Sequence, residues 1–472
     1  MRPHRIRAFV IAPVAASVLA GCSFMPTYER PAAPVPAAFP YAAATDGTPA
    51  PALDWQRFFA DERLRGLVAD ALANNRDLRV AVLNIEQARA QYDIRRADRL
   101  ASVGVGVNAS RAPSPATGNQ VTSYQVGLAL TTWELDFFGR IASLSEAALA
   151  QYLATEEGRK AAQVTLVGAV ATTWLSLVAD EELLALTRQT LATREESLRL
   201  IQLRFDNGVS SELDLRGAES LAETARAALA QQQRQRALDL NALGLLVGRA
   251  LPADYQTGTT LAALTLPDVP AGMPSEILAE RPDVRQAEQL LVAANANIGA
   301  ARAAFFPRIT LTASAGRASS QLSGLFDSGG SWAYTIAPSL LQPIFDAGRN
   351  EAGLRSAQVG RDIAVAQYER AIQSAFREVA DALAGRATLG DQLQAQSRVA
   401  QAEAVRARLA QMRFDAGVAS TLDLLDAQRS LFSARQAEIQ VRLAQLQNRV
   451  LLYRALGGGW TGADARQAQP AS

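Results

Sequence analysis

Histidine and cysteine are nearly absent. The 472 residues hold one of each, His4 and Cys22. Serine and cysteine hydrolases need a histidine beside the nucleophile, and structural zinc sites need several His or Cys ligands. Neither can be assembled from this inventory, nor can an internal disulfide. Lysine is as scarce, Lys160 being the only one, so arginine carries almost all the positive charge. The formal net charge is +1, far from the basic excess that nucleic-acid binding requires, and no nucleic-acid partner is expected. Beyond the first 21 residues no apolar run is expected to reach the ~18–20 residues of a spanning helix. Carboxylate chemistry is left open by these absences. Hydrophobic residues, in contrast, make up 49% of the chain and charged residues 20%, the composition of an ordered protein.

Residues 1–21 have the form of an export signal: Arg2, Arg5 and Arg7, then a short apolar run from Ala8 to Ala20. Leu19-Ala20-Gly21-Cys22 resembles a bacterial lipobox, which implies cleavage before Cys22 and a lipid on its sulfur. The other reading is an ordinary signal beside a chance cysteine. An unpaired thiol is unusual in an exported protein. Ser23 follows where an Asp would favour retention at the inner membrane, so the outer membrane is expected. Loss of the leader removes His4 as well. Residues 22–60 are rich in Pro and Ala as far as Pro51 and read as an extended arm.

One stretch occurs twice. Leu203–Leu215 reads LRFDNGVSSELDL and Met412–Leu424 reads MRFDAGVASTLDL, an offset of 209 residues. Gly208 and Gly417 suit the left-handed end of a helix. Ser211 with Asp214, and Ser420 with Asp423, have the spacing of a capping box that starts the next helix. Each copy is therefore the tip of a helical hairpin. Proline-free helical patterns run over 140–203, 213–247, 349–412 and 422–456. The first and third predict helices of ~96 Å. Val170, Leu177, Leu184, Leu191, Leu198 and Phe205 recur every seven residues, which favours coiled-coil packing. Residues 61–101 also read as helix.

Between these lie four runs of period two, the spacing of half-apolar strands. Val103, Val105, Val107 and Ala109 alternate with Gly104, Gly106, Asn108 and Ser110. Tyr124, Val126, Leu128 and Leu130 alternate with Gln125, Gly127 and Ala129. The third run sets Ile309, Leu311, Ala313 and Ala315 against Thr310, Thr312 and Ser314. The fourth sets Trp332, Tyr334, Ile336, Pro338 and Leu340 against Ala333, Thr335 and Ala337. Arg111–Gln120 reads as the loop of the first pair. Four strands cannot close a bacterial barrel, which needs about eight, and lipid tolerates no open edge. If the apolar faces meet lipid, several chains must share one barrel, with Tyr124, Trp133, Phe305, Phe306, Trp332 and Tyr334 as aromatic girdles. A soluble sheet packed on helices remains the other reading.

The lipobox, Trp55-Gln56-Arg57-Phe58-Phe59, Asn75-Arg76-Asp77-Leu78 and both Arg-Phe-Asp-x-Gly-Val tips resemble the TolC/OprM-like outer-membrane factor family. They are most similar to its NodT-type lipoproteins of RND multidrug efflux systems. The resemblance covers almost all of the chain after the leader. It implies a mixed, mainly α fold with internal structural duplication. Four strands per chain form a trimeric outer-membrane β-barrel, continuous with a long periplasmic α-helical barrel. The implied division is a signal at 1–21, an arm at 22–60, repeats at 61–265 and 266–456, and a tail at 457–472. The implied function is passive export of drugs or other small molecules, with no catalysis and no cofactor. The implied partners are two further copies, outer-membrane lipid, a periplasmic adaptor (membrane fusion) protein and an inner-membrane RND-type transporter. A type I protein-secretion duct and a non-pore lipid-anchored coiled-coil scaffold are the alternatives.

Residue by residue, the resemblance makes Cys22 the lipidation site. It makes Arg204, Phe205, Gly208, Val209, Arg413, Phe414, Gly417 and Val418 the adaptor-docking tips. Phe and Val closing each hairpin is the compatible structural role. It places the aperture at Leu422, Asp423 and Asp426. Asp423 has a twin in Asp214, whereas the counterpart of Asp426 is Gly217, so hairpin formation does not require the second charge. Three copies of Asp426 would make an acidic ring that favours cations; an ordinary solvated carboxylate is the other reading.

Overall fold

A computed structural model describes residues 23–41, 53–113, 118–270, 278–327 and 329–459. Cys22, the leader and the tail from 460 onward lie outside the described residues. The chain divides into two compact units. One contains the described parts of Met1–Ala32, Leu83–Glu156 and Gln286–Arg370; the other contains those of Ala33–Val82, Glu157–Arg285 and Ala371–Ser472.

The first unit holds one antiparallel sheet, in the order β1 (Val103–Pro113), β2 (Gln120–Glu134), β3 (Arg308–Ser319), β4 (Ser331–Leu341). Residues directly opposite in an antiparallel pair share a face. Val105 pairs with Leu128, Leu128 with Ala315, and Ala315 with Tyr334. The four apolar rows therefore join into one face. Gly106, Gly127, Gly316 and Ala333 are likewise in register on the other face. A bulge between Leu130 and Trp133 sets Trp133 opposite Leu311. The extra residue brings Trp133 onto the apolar face, which strict alternation from Leu130 would have denied it. Arg111–Pro113, expected in a loop, pairs with Gln120–Thr122 instead. Pro113 is tolerated because β1 is an edge strand.

The arm is fixed to the same unit. The Glu288 carboxylate on α6 (Pro282–Ala303) accepts from Arg30 Nε at 2.7 Å, Arg30 Nη2 at 2.9 Å and the Tyr28 hydroxyl at 3.1 Å. Burial and the Glu288 charge together push the Tyr28 pKa up. Asn295 Nδ2 donates to the Pro26 carbonyl at 2.8 Å, and Phe24 stacks on Phe306 at 4.3 Å between centroids.

The second unit is helical. It contains α1 (Trp55–Phe58), α2 (Glu62–Asn74) and most of α4 (Arg140–Asp206). The rest is α5 (Glu212–Val247), most of α7 (Arg349–Asp415) and α8 (Thr421–Ala455). The helical pattern expected over 61–101 is broken at Asn75, which separates α2 from α3 (Arg76–Ala97). Asn75 is an N-cap: the Leu78 N–H donates to its Oδ1 at 2.9 Å. Phe58 and Phe59 are buried in the core, Phe58 stacked on Tyr453 at 4.0 Å. Each such side chain contributes about 1.5–3 kcal/mol. Val170, Leu177 and Leu184 of the heptad seam are buried. One correction concerns membrane helices. α4 does contain a stretch long and apolar enough to cross a membrane by composition, but most of that stretch is buried among its neighbours.

The duplication appears in backbone conformation. Gly139, Gly208 and Gly248 have φ of 69°, 72° and 79°, and Gly348, Gly417 and Gly457, each 209 residues on, have 82°, 75° and 79°. Equivalent contacts are made by unlike residues. Asn75 Nδ2 donates to the Leu246 carbonyl at 2.9 Å, and Arg281 Nη1 donates to the Ala455 carbonyl at 2.6 Å.

Candidate functional site: the apolar sheet face and the helix tips

Among the described residues nothing covers the apolar face of the sheet. Val105 is 78% exposed and Trp332 73%, and Val103, Val107, Leu128, Tyr334, Ile336 and Leu340 are exposed with them. Among the described residues β1 and β4 each have one paired neighbour and one open edge. Isolated exposed apolar residues are ordinary, but a continuous apolar face marks a surface that something else covers. Of the girdle residues, Trp332 and Tyr334 stand free, while Tyr124 and Trp133 are half-buried. Trp133 Nε1 donates to the Arg99 carbonyl at 3.3 Å. Phe306 is committed elsewhere: it lies between Phe24, at 4.3 Å, and Phe138, at 5.1 Å. It stacks on the arm and still keeps an exposed face, as Phe305 does beside it.

At each tip the long helix ends in a paired hydrogen bond across a left-handed glycine. Val209 N–H donates to the Arg204 carbonyl at 2.8 Å and Gly208 N–H to that of Phe205 at 2.9 Å. Val418 and Gly417 do the same toward Arg413, at 2.9 Å, and Phe414, at 3.0 Å. This is the Schellman pattern that only a left-handed residue at the turn permits. Both capping boxes are formed. Hydrogen bonding to Ser211 and Ser420, respectively, holds the Asp214 and Asp423 carboxylates below the usual range.

The structure divides the eight tip residues. Val209 is 76% exposed, and Val418 is exposed as well. Phe414 is only 3% exposed, packed with Ile201, Leu215, Leu424 and Leu425. The Arg204 guanidinium lies over its ring, 4.1 Å from the centroid. Phe414 therefore belongs to the core that joins the two hairpins, not to a docking surface. Phe205 packs at the edge of that core, half-buried.

Leu422 is 73% exposed at the start of α8. Asp426, one turn further on, is not the lone carboxylate that an acidic ring needs. It forms ion pairs with Arg406 of α7 and Arg429 of α8. The reading of the sequence missed both arginines. Arg429 stands three residues from Asp426, a spacing at which helical side chains meet, so it was within reach of the pattern. Arg406 was not, because its register depends on how the two helices pack.

A family model described as outer membrane efflux protein matches residues 67–249 and 273–458. The chain belongs to the outer membrane efflux protein family. This efflux protein is 49% identical over 457 residues to the solvent efflux pump outer membrane protein SrpC of Pseudomonas putida, covering 94% of this chain and 97% of that one. It is 47% identical to the outer membrane protein OprJ of Pseudomonas aeruginosa, covering 94% of each. Among solved structures, the open state of the MtrE outer membrane channel of Neisseria gonorrhoeae is similar, with a TM-score of 0.85. The identity there is 41%, covering 93% of this chain and 99% of that one. The fold is that of the TolC-like outer-membrane channels, mainly helical with one four-stranded sheet. The exposed sheet face is thus the outer-membrane part of the efflux protein.

Proposed function

We propose that three copies of this efflux protein pool their strands into one twelve-strand barrel, and that their helices line a periplasmic duct. The observation that carries this reading is the sheet: one continuous apolar face, exposed along β1 and β4 and half-buried along β3, with both edges open among the described residues, an arrangement stable in lipid only when closed by other copies. The duct is passive and non-catalytic, and receives its cargo from an inner-membrane RND-type transporter through a periplasmic adaptor protein. Val209, Val418 and the surrounding exposed tip residues are the adaptor's contact, a geometry suited to helix-in-groove recognition. The relatives named for solvent and toluene efflux support small apolar molecules as the cargo. Cys22 carries a lipid that tethers the arm. The repeats occupy 61–265 and 266–456.

Leu422 and Asp426 form the aperture. Leu422 narrows it by bulk; Asp426 closes it by joining α7 to α8 through Arg406. The test is planar-bilayer recording of the purified full chain. Discrete conductance steps are expected, and they grow in Leu422→Gly. Absence of steps in both proteins, while a porin control inserts, overturns the proposal.

A further inference from the structure

Arg194 lies within α4 and is only 3% exposed. Its Nη1 donates to the Leu221 carbonyl at 2.9 Å, and its guanidinium faces the Phe432 ring, 5.1 Å from the centroid. Its Nε has no partner. Burial alone acts on its pKa, and lowers it; no acid offsets the charge. A buried cation left without an anion is strongly unfavourable.

The same residue lines a cavity of about 260 Å³ between α4, α7 and α8, together with Arg408, Arg435, Gln428, Leu431 and Phe432. Three arginines thus line it, and no Asp or Glu is among its lining residues. The acids on neighbouring turns are engaged: Glu403 with Arg406, Asp426 with Arg406 and Arg429, and Glu438 with Arg442. A second polar atom is left over. Gln428 Nε2 donates to Ser197 Oγ at 3.0 Å, but its Oε1 is buried without a donor.

We propose that this cavity binds a small oxyanion that also carries a hydroxyl group. The oxyanion accepts from Arg194 Nε and the two outer arginines, and the hydroxyl donates to Gln428 Oε1. Hydrogen phosphate and a hydroxyaryl carboxylate share this chemistry. The apolar walls formed by Leu431 and Phe432 suit the ring of the second.

Isothermal titration of the detergent-solubilised full chain with phosphate and with 4-hydroxybenzoate tests the site. Saturable binding of at least one is expected, and the stronger of the two names the source. Loss of one charged hydrogen bond should weaken binding by about tenfold or more in Arg194→Gln. The double variant Arg408→Gln, Arg435→Gln should show the same loss and keeps the test open if Arg194→Gln fails to fold. Arg199→Gln, outside the cavity, should bind as wild type does. No saturable binding of either probe, or binding undiminished in the double variant, overturns the proposal.

Discussion

Asp426 sits between two guanidinium groups, those of Arg406 and Arg429. Its removal takes away the one negative charge the two arginines share, leaving Arg406 with Glu403 and Arg429 without that partner. Asp426→Ala is therefore expected to shift the reversal potential toward anions in planar-bilayer recording, and to lengthen open times as the link from α7 to α8 is lost. Exposed ion pairs contribute only about 0.2–1 kcal/mol each, so folding should be little affected. Ser211→Ala is the contrasting change: it should cost about 0.5–2 kcal/mol of tip stability and leave the reversal potential where it was. Equal reversal potentials in wild type and Asp426→Ala would remove Asp426 from the aperture. Asp180 gives a pH dependence. It is buried, and burial together with hydrogen bonding to Asp239 pushes its pKa up to about 7. The unfolded value is about 3.9, so between these the folded state holds the proton more tightly. Stability falls as pH rises from ~4 to ~7 and stays lower above that. Asp180→Asn should thus raise the melting temperature at pH 8 and change it little at pH 4. An equal gain at both would mean that the carboxylate does not titrate in the fold.

Element by element, local chemistry was legible and pairing was not. The tips could be read because glycine, serine and aspartate act on backbone groups within four residues of themselves. The strands could be read from their period, but their limits could not. Trp133 reaches the apolar face through a bulge, and Arg111–Pro113 pairs because a partner strand is present; neither leaves a mark in the local alternation. The break at Asn75 was missed for a different reason. The apolar spacing continues through it, and only the cap to Leu78 shows that one helix has ended. The burial of Phe414 depends on Arg204 and Leu215 of the other repeat, which nothing in its own segment signals. The glycine row across the sheet carries its own test. A β-carbon on Gly127 would lie 2.2 Å from the Ala315 carbonyl oxygen, whereas one on Gly104 would meet nothing within 4 Å. Gly127→Val is expected to abolish the heat-modifiable oligomer on gels, and Gly104→Val, on the same face, to retain it. Loss in both would show that the face tolerates no bulk anywhere and that close strand approach at Gly127 is not the cause.

For the whole molecule, the repeat is the organising fact. Three pairs of left-handed glycines keep one spacing of 209 residues, so each half turns and stops at matching points while its side chains diverge. Asn75 and Arg281 show how far that divergence goes: an amide and a guanidinium serve equivalent helix ends. Two halves supply two strands each, and four strands leave two open edges. In the proposed assembly the closure comes from two further copies, which brings the barrel to twelve strands. Native mass spectrometry of the full-length protein, released from a mild detergent that preserves other outer-membrane barrels, measures this directly. The expected result is a complex of three chains that dissociates only under conditions that also destroy the β-sheet signal in circular dichroism. A folded monomer, stable in that detergent with its sheet intact, would contradict the shared barrel.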